Sequence, residues 1–129
     1  MPRGFNDIND LENFKRRLAD ALPLNVDAVM QGSSVEGGGN SFRFGGGDKA
    51  SDFDVSLTGV NLYENARSLY PGSANETRVG PFTADEMRVM GIDVSGTKYH
   101  FGRDTNCMIY SSNIEFYKRG TGYPLMIRK

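Results

Sequence analysis

Two aspartates, Asp52 and Asp54, stand two residues apart in Ser51-Asp52-Phe53-Asp54-Val55, and a Gly-Ser pair, Gly32-Ser33, precedes them in Gln31-Gly32-Ser33-Ser34-Val35. Asp52, Asp54 and Ser56 alternate with Phe53, Val55 and Leu57, which predicts a strand with one apolar and one polar face. Both carboxylates then project from the same face, about 7 Å apart along the chain. Two like charges held that close call for a cation between them. Mg²⁺ suits the position, being a hard ion held by one or two carboxylates together with substrate phosphates. Gly32-Ser33 follows the short apolar run Val26 to Met30, read as a buried strand, so the pair reads as a strand end turning into a helix start. Such a turn offers backbone N–H groups and a positive dipole end to an anion, and Ser33 adds a hydroxyl donor. A triphosphate could lie between the turn and a metal on the aspartates, the metal neutralising phosphate charge and orienting an attacking hydroxyl. Each half alone also has an ordinary reading, as a plain turn and as a solvated strand face.

The surrounding elements must bring these halves together. Asn9 and Glu12 have capping-box spacing, and Leu11, Phe14, Leu18 and Leu22 then place one apolar stripe on a helix ended by Pro23. A short helix is predicted from Asn61 to Leu69, closed by Pro71-Gly72. Thr83 and Glu86 form a second capping box opening a helix that stops at Gly91. Lys98 to Phe101 and Thr105 to Tyr110 read as two strands joined at Gly102. Asn113 to Lys118 reads as a last helical turn or two, and Tyr123 to Ile127 as an extended piece. Helices interleaved with strands predict an α+β (mixed α/β) domain, a mixed sheet with helices packed on it.

Composition narrows the function classes. At 129 residues the chain suits one domain, and 38% hydrophobic with 24% charged residues is globular rather than disordered composition. The formal net charge of −1 argues against a protein that binds nucleic acid by neutralising many phosphates, though a local basic strip remains possible. A single cysteine, Cys107, rules out an internal disulfide and a cysteine-type zinc site. No run of about 18 apolar residues predicts a membrane span. Gly37-Gly38-Gly39 and Gly45-Gly46-Gly47 crowd the interval before Asp52, where they could form a lid, a recognition element or an insertion.

Gly32-Ser33 followed by a glycine-containing segment and Ser51-Asp52-Phe53-Asp54-Val55 resembles the signature of the nucleotidyltransferase superfamily, in which Gly-Ser and Asp-x-Asp hold a nucleotide and Mg²⁺. More narrowly, Gly32-Ser33-Ser34-Val35, Ser41-Phe42-Arg43 and Ser51 to Val55 look like the nucleotidyltransferase-like modules at the C-terminal ends of bacterial polymorphic toxins. Asn106-Cys107-Met108-Ile109-Tyr110-Ser111 is similar to a late strand of those modules. The resemblance covers Val29 to Leu57, and more loosely Thr83 to Tyr110. It implies a nucleotidyltransferase-like mixed sheet and a Mg²⁺-dependent transfer of a nucleotide or pyrophosphate group from a nucleoside triphosphate. The acceptor would be a macromolecule, either RNA such as tRNA or a protein. It further implies a module of a longer protein, delivered into the cytoplasm of a target cell and countered by a cognate immunity protein.

On that reading Asp52 and Asp54 hold the metal, Gly32, Ser33 and Ser34 bind phosphates, and Arg43 is an accessory phosphate contact. Superfamily members carry a third acid on a later strand. Here Asn106 occupies a plausible inward position and is no base, while Asp104, Asp93 and Glu115 stand as alternatives. Two rival functions follow: a catalytically inactive relative that binds a protein or RNA partner, and a nuclease whose carboxylates position water against a phosphodiester. Lys49 reads as a phosphate contact or a solvated charge. His100, on a predicted strand, reads as structural rather than as an acid–base group. Cys107, Met87, Val89 and Met90 read as core, and Lys15-Arg16-Arg17, Lys118-Arg119 and Arg128-Lys129 as solvated.

Overall fold

The structure is a computed structural model that describes residues 1–35, 42–44, 50–112 and 122–125. It is a mixed α+β domain. A five-stranded sheet is built from β1 (Asp27–Gln31), β2 (Phe53–Thr58), β3 (Arg78–Phe82), β4 (Thr105–Tyr110) and β5 (Tyr123–Pro124), in the order β3-β4-β2-β1-β5. The β2–β4 pair is parallel, and the remaining pairs are antiparallel. Four α-helices accompany it among the described residues: α1 (Ile8–Ala21), α2 (Val60–Leu69), α3 (Ala84–Val89) and α4 (Gly96–Phe101). None of the helices is long and apolar enough to cross a membrane among the described residues.

The apolar stripe of α1 packs Leu11, Phe14 and Leu18 onto the sheet face carrying Phe53, Val55 and Leu57 of β2. Phe5, just before α1, stacks on Phe53 with ring centroids 4.8 Å apart, and Phe14 meets Phe53 edge-on at 5.2 Å. Leu62, Tyr63 and Ala66 of α2 and Met87 of α3 join the same core, as do Cys107 and Ile109 of β4. One face of the sheet therefore anchors the helices, and period-2 alternation sends Asp54, Ser56, Asn106, Met108 and Tyr110 to the opposite face.

Several elements depart from the sequence expectation, each for a local reason. The α1 cap is Asp7 rather than Asn9: its carboxylate accepts from Asp10 N–H at 2.9 Å, while Glu12 pairs with Lys15 at 3.3 Å instead of reaching back. The turn after β1 is a three-residue 3-10 turn, Gly32–Ser34, with too few aligned peptides to build a helix dipole. Lys98 to Phe101 is helical, not extended; Val94 and Thr97 are buried, and left-handed Gly102 closes α4 by donating to Lys98 O at 3.0 Å. Strand β3 had no sequence signal, because Gly80 and Pro81 interrupt it; it survives as an edge strand with an irregular register against β4. Val89 is exposed, unlike buried Met87. The Thr83–Glu86 capping box opens α3 as expected, with both of its hydrogen bonds present. The readings at Asn113 to Lys118, Arg119, Glu115, Ile127, Arg128, Lys129, Ser41, Lys49 and the two glycine triplets lie outside the described residues.

Candidate functional site

Strand register brings the two halves of the motif together. Gln31, the last residue of β1, pairs with Asp54 across the antiparallel ladder, so the next residue turns at the Asp54 side chain. That residue is Gly32, with φ +76°, and a Cβ placed on it would collide with Asp54 Oδ2. Glycine is thus required twice, by the left-handed backbone and by the approach of the carboxylate.

The parallel β2–β4 ladder sets Asn106 opposite Asp54. Asn106 Nδ2 donates to Asp52 Oδ2 at 2.9 Å, so one amide ties the first aspartate to the strand position facing the second. Asp52 lies just before β2 rather than within it, and both aspartates are half-buried. Gly32, Asp54 and Asn106 form the polar end of a 260 Å³ cleft whose walls continue along Pro81, Met108 and Tyr110. Beside them the Ser56 hydroxyl donates to Gln31 Oε1. A polar end carrying a carboxylate and leading to an apolar wall suits a ligand with a cationic or metal-bound head and a flat, less polar body.

The other predicted residues divide. Ser33 sits in the turn, half-buried. Ser34 is buried, and its hydroxyl donates to Arg3 O at 2.6 Å, so it braces the N-terminal segment. Arg43 is exposed and does not line that cleft, and its main chain makes hydrogen bonds of its own. Arg43 N–H donates to Ser51 Oγ at 2.7 Å and Ser51 N–H donates back to Arg43 O at 3.1 Å, so these two residues are tied to each other.

Of the alternative third acids, Asp104 is exposed, with Lys98 at 3.9 Å, and uses its carbonyl to accept Phe53 N–H. Asp93 is exposed and accepts from the Ser95 hydroxyl and N–H, bonds that hold its carboxyl below the ordinary range. Asn106 is therefore the residue facing Asp54 on β4. Among the described residues no group of three or more His, Cys, Asp or Glu side chains comes together. Carboxylate oxygens are hard donors of the kind Mg²⁺ accepts; of the two aspartates, Asp54 lines the cleft, while Asp52 accepts from Asn106 at its side. Cys107 is buried, and burial first, then the charge of Asp54, pushes its thiol up to about 12. It is a neutral core side chain rather than a nucleophile.

Two participants escaped the sequence reading. Arg3 Nη1 donates to Ser33 O at 2.9 Å and Arg3 N–H to Ser34 O at 2.8 Å, which brings a guanidinium onto the Gly-Ser turn. Arg103 Nη1 donates to Arg43 O at 2.7 Å and Ser51 O at 2.9 Å. Both contacts join residues far apart in the chain, so no local spacing could signal them. His100 lies exposed on α4 rather than on a strand. The chain matches no family model, no curated protein and no solved structure.

Proposed function

We propose that this domain is a Mg²⁺-dependent nucleotidyltransferase-like enzyme, acting as a toxin module that transfers from a nucleoside triphosphate to RNA or protein either a nucleotide, with pyrophosphate leaving, or a pyrophosphate group, with the nucleoside monophosphate leaving. The observation carrying this reading is the meeting of Gly32 with Asp54 across the β1–β2 ladder, with Asn106 holding Asp52 beside them. Asp52 and Asp54 would hold the ion, which when bound offsets phosphate charge. Gly32 admits phosphate oxygens to the backbone, and Ser33 supplies a hydroxyl donor. Arg3, held at Ser33 O, adds positive charge at the turn. The apolar wall of Pro81, Met108 and Tyr110 would accept the nucleobase and exclude water from one side of the cleft. Asn106 donates to Asp52 and takes no proton, so the proton of an acceptor hydroxyl would pass to a carboxylate of the Asp52–Asp54 pair. The toxin setting, target-cell delivery and immunity protein rest on the sequence resemblance.

The test is transfer of label from each nucleoside triphosphate, with Mg²⁺, into a bacterial lysate fractionated into RNA and protein. Label in one fraction, lost with Asp52→Ala and Asp54→Ala, is expected. No transfer from any of the four nucleotides would overturn the reading. Asn106 at the position facing Asp54 favours one second reading, a catalytically silent relative that binds a partner. That reading expects partner binding that ignores Mg²⁺ and survives Asp52→Ala.

A further inference from the structure

Arg103 is buried as a residue, at 6% exposure, and it takes no part in the ion pairs among the described residues. Its Nη1 is held by two neutral carbonyls, Arg43 O and Ser51 O, and its Cζ lies over the Phe42 ring, 4.3 Å from the centroid. The remaining donors, on Nε and Nη2, meet no acceptor among the described residues. Neither is a buried orphan, since Thr58 Oγ1 is the one such side-chain atom among the described residues, so both donors are open to solvent beside the cleft that Arg103 lines. Burial pulls the guanidinium's pKa down, and the charge of Asp52 partly offsets that.

Arg103 lines a 310 Å³ cleft with Asn6, Asp10, Phe44 and His100, sharing no lining residue with the cleft at Asp54. His100 brings an imidazole N–H donor. Phe44 is 67% exposed and held edge-on against Phe42, with the Arg103 Cζ 5.9 Å from its ring centroid on one side. Asp10 already accepts from Asn6 N–H at 3.1 Å, and its carboxylate can accept from a hydroxyl or amine but repels phosphate. These groups ask for a ligand with an anion at one end, a flat ring, and a hydroxyl or amine donor between them. The volume lies at the small end of ligand sites, roughly 300–1,000 Å³.

We propose that this cleft is a second binding site that takes a nucleoside monophosphate, free or at the 5′ end of a strand, independently of Mg²⁺ and of Asp52 and Asp54. The phosphate lies on Arg103 and His100, the base on Phe44, and a sugar hydroxyl or exocyclic amine donates to Asp10. Stacking of one base on one ring makes a nucleotide bind about tenfold tighter than inorganic phosphate.

The test is an NMR shift titration of the whole 129-residue chain in EDTA with AMP, CMP, adenosine, inorganic phosphate and a 5′-phosphorylated oligonucleotide. Saturable shifts at Asn6, Phe44 and His100 are expected with the monophosphates, with weaker binding of phosphate and none of adenosine. Phe44→Ala is expected to lower nucleotide affinity to that of inorganic phosphate, and His100→Ala to weaken both. Arg103→Met abolishes binding; if that variant does not fold, the two exposed-site variants decide. Asp54→Ala leaves the affinity unchanged, which separates this site from the proposed transferase centre. Oligonucleotide binding assigns the strand end as the source, and binding of mononucleotides alone assigns the free nucleotide. No saturable shift at the three residues, shifts confined to Gly32 and Asp54, or affinity unaltered by Phe44→Ala and His100→Ala would each overturn the proposal.

Discussion

The carboxylate of Asp54 lies against the α-carbon of Gly32, where any side chain would have to stand. The contact is created by register: Gln31 pairs with Asp54, and the chain turns immediately after. Two segments separated by the glycine-rich stretch thereby become a single surface, with the backbone of one beside the charge of the other.

Gly32→Ala tests that contact. A residue with a Cβ at φ +76° costs about 1–2 kcal/mol from backbone conformation alone. Displacement of Asp54 adds to that, so the urea midpoint falls and nucleotide binding in Mg²⁺ weakens together. A variant as stable as the parent, with unchanged binding, would show that the approach is not needed.

Asn106→Asp places a third carboxylate facing Asp54 and removes the donor that holds Asp52. Loss of a hydrogen bond to a charged group is worth about 1.5–3 kcal/mol, and charge repulsion adds to it. The variant should melt below the parent in EDTA and recover much of the difference in Mg²⁺. Identical melting in both buffers would mean the three side chains do not share a site.

Arg3→Ala removes the guanidinium from Ser33 O and is expected to cost about 0.5–1.5 kcal/mol of stability. Triphosphate affinity should fall several-fold, and the loss should shrink at high salt as screening weakens the contribution of the charge. A salt-independent loss would point to turn geometry instead.

Cys107 gives a pH dependence with a defined sign. Its thiol sits at about 12 in the folded protein against 9.0 for an exposed thiol, chiefly because burial disfavours the thiolate. The unfolded chain therefore releases this proton first, so the thiol's contribution is intact below pH 9 and is lost as pH rises from 9 toward 12. In that window the stability of the parent relative to Cys107→Ala should fall steadily as pH rises. Thiol labelling should track global unfolding. Rapid labelling of the native chain at pH 8 would contradict the burial.

What the sequence determined by itself was local. The stripe of α1, the alternation of β2, the span of β4 and the capping box at Thr83 follow from periodicity and short-range hydrogen bonds, which neighbouring residues set between themselves. Even there the first cap moved to Asp7, since Asp, Asn and Ser compete for that role within a turn. Strand β3 was hidden because Gly80 and Pro81 lower its intrinsic preference, and pairing with β4 outweighs that. The helix over Gly96–Phe101 was hidden because six residues carry too little periodicity. The candidate residues were legible by type; their relations were not. That Gly32 meets Asp54, that Asn106 holds Asp52, that Ser34 turns to Arg3 and that Arg103 grips both Arg43 and Ser51 are matters of register and long-range closure. Such contacts depend on which strands pair and in what alignment, and the packing of the core against the sheet decides both.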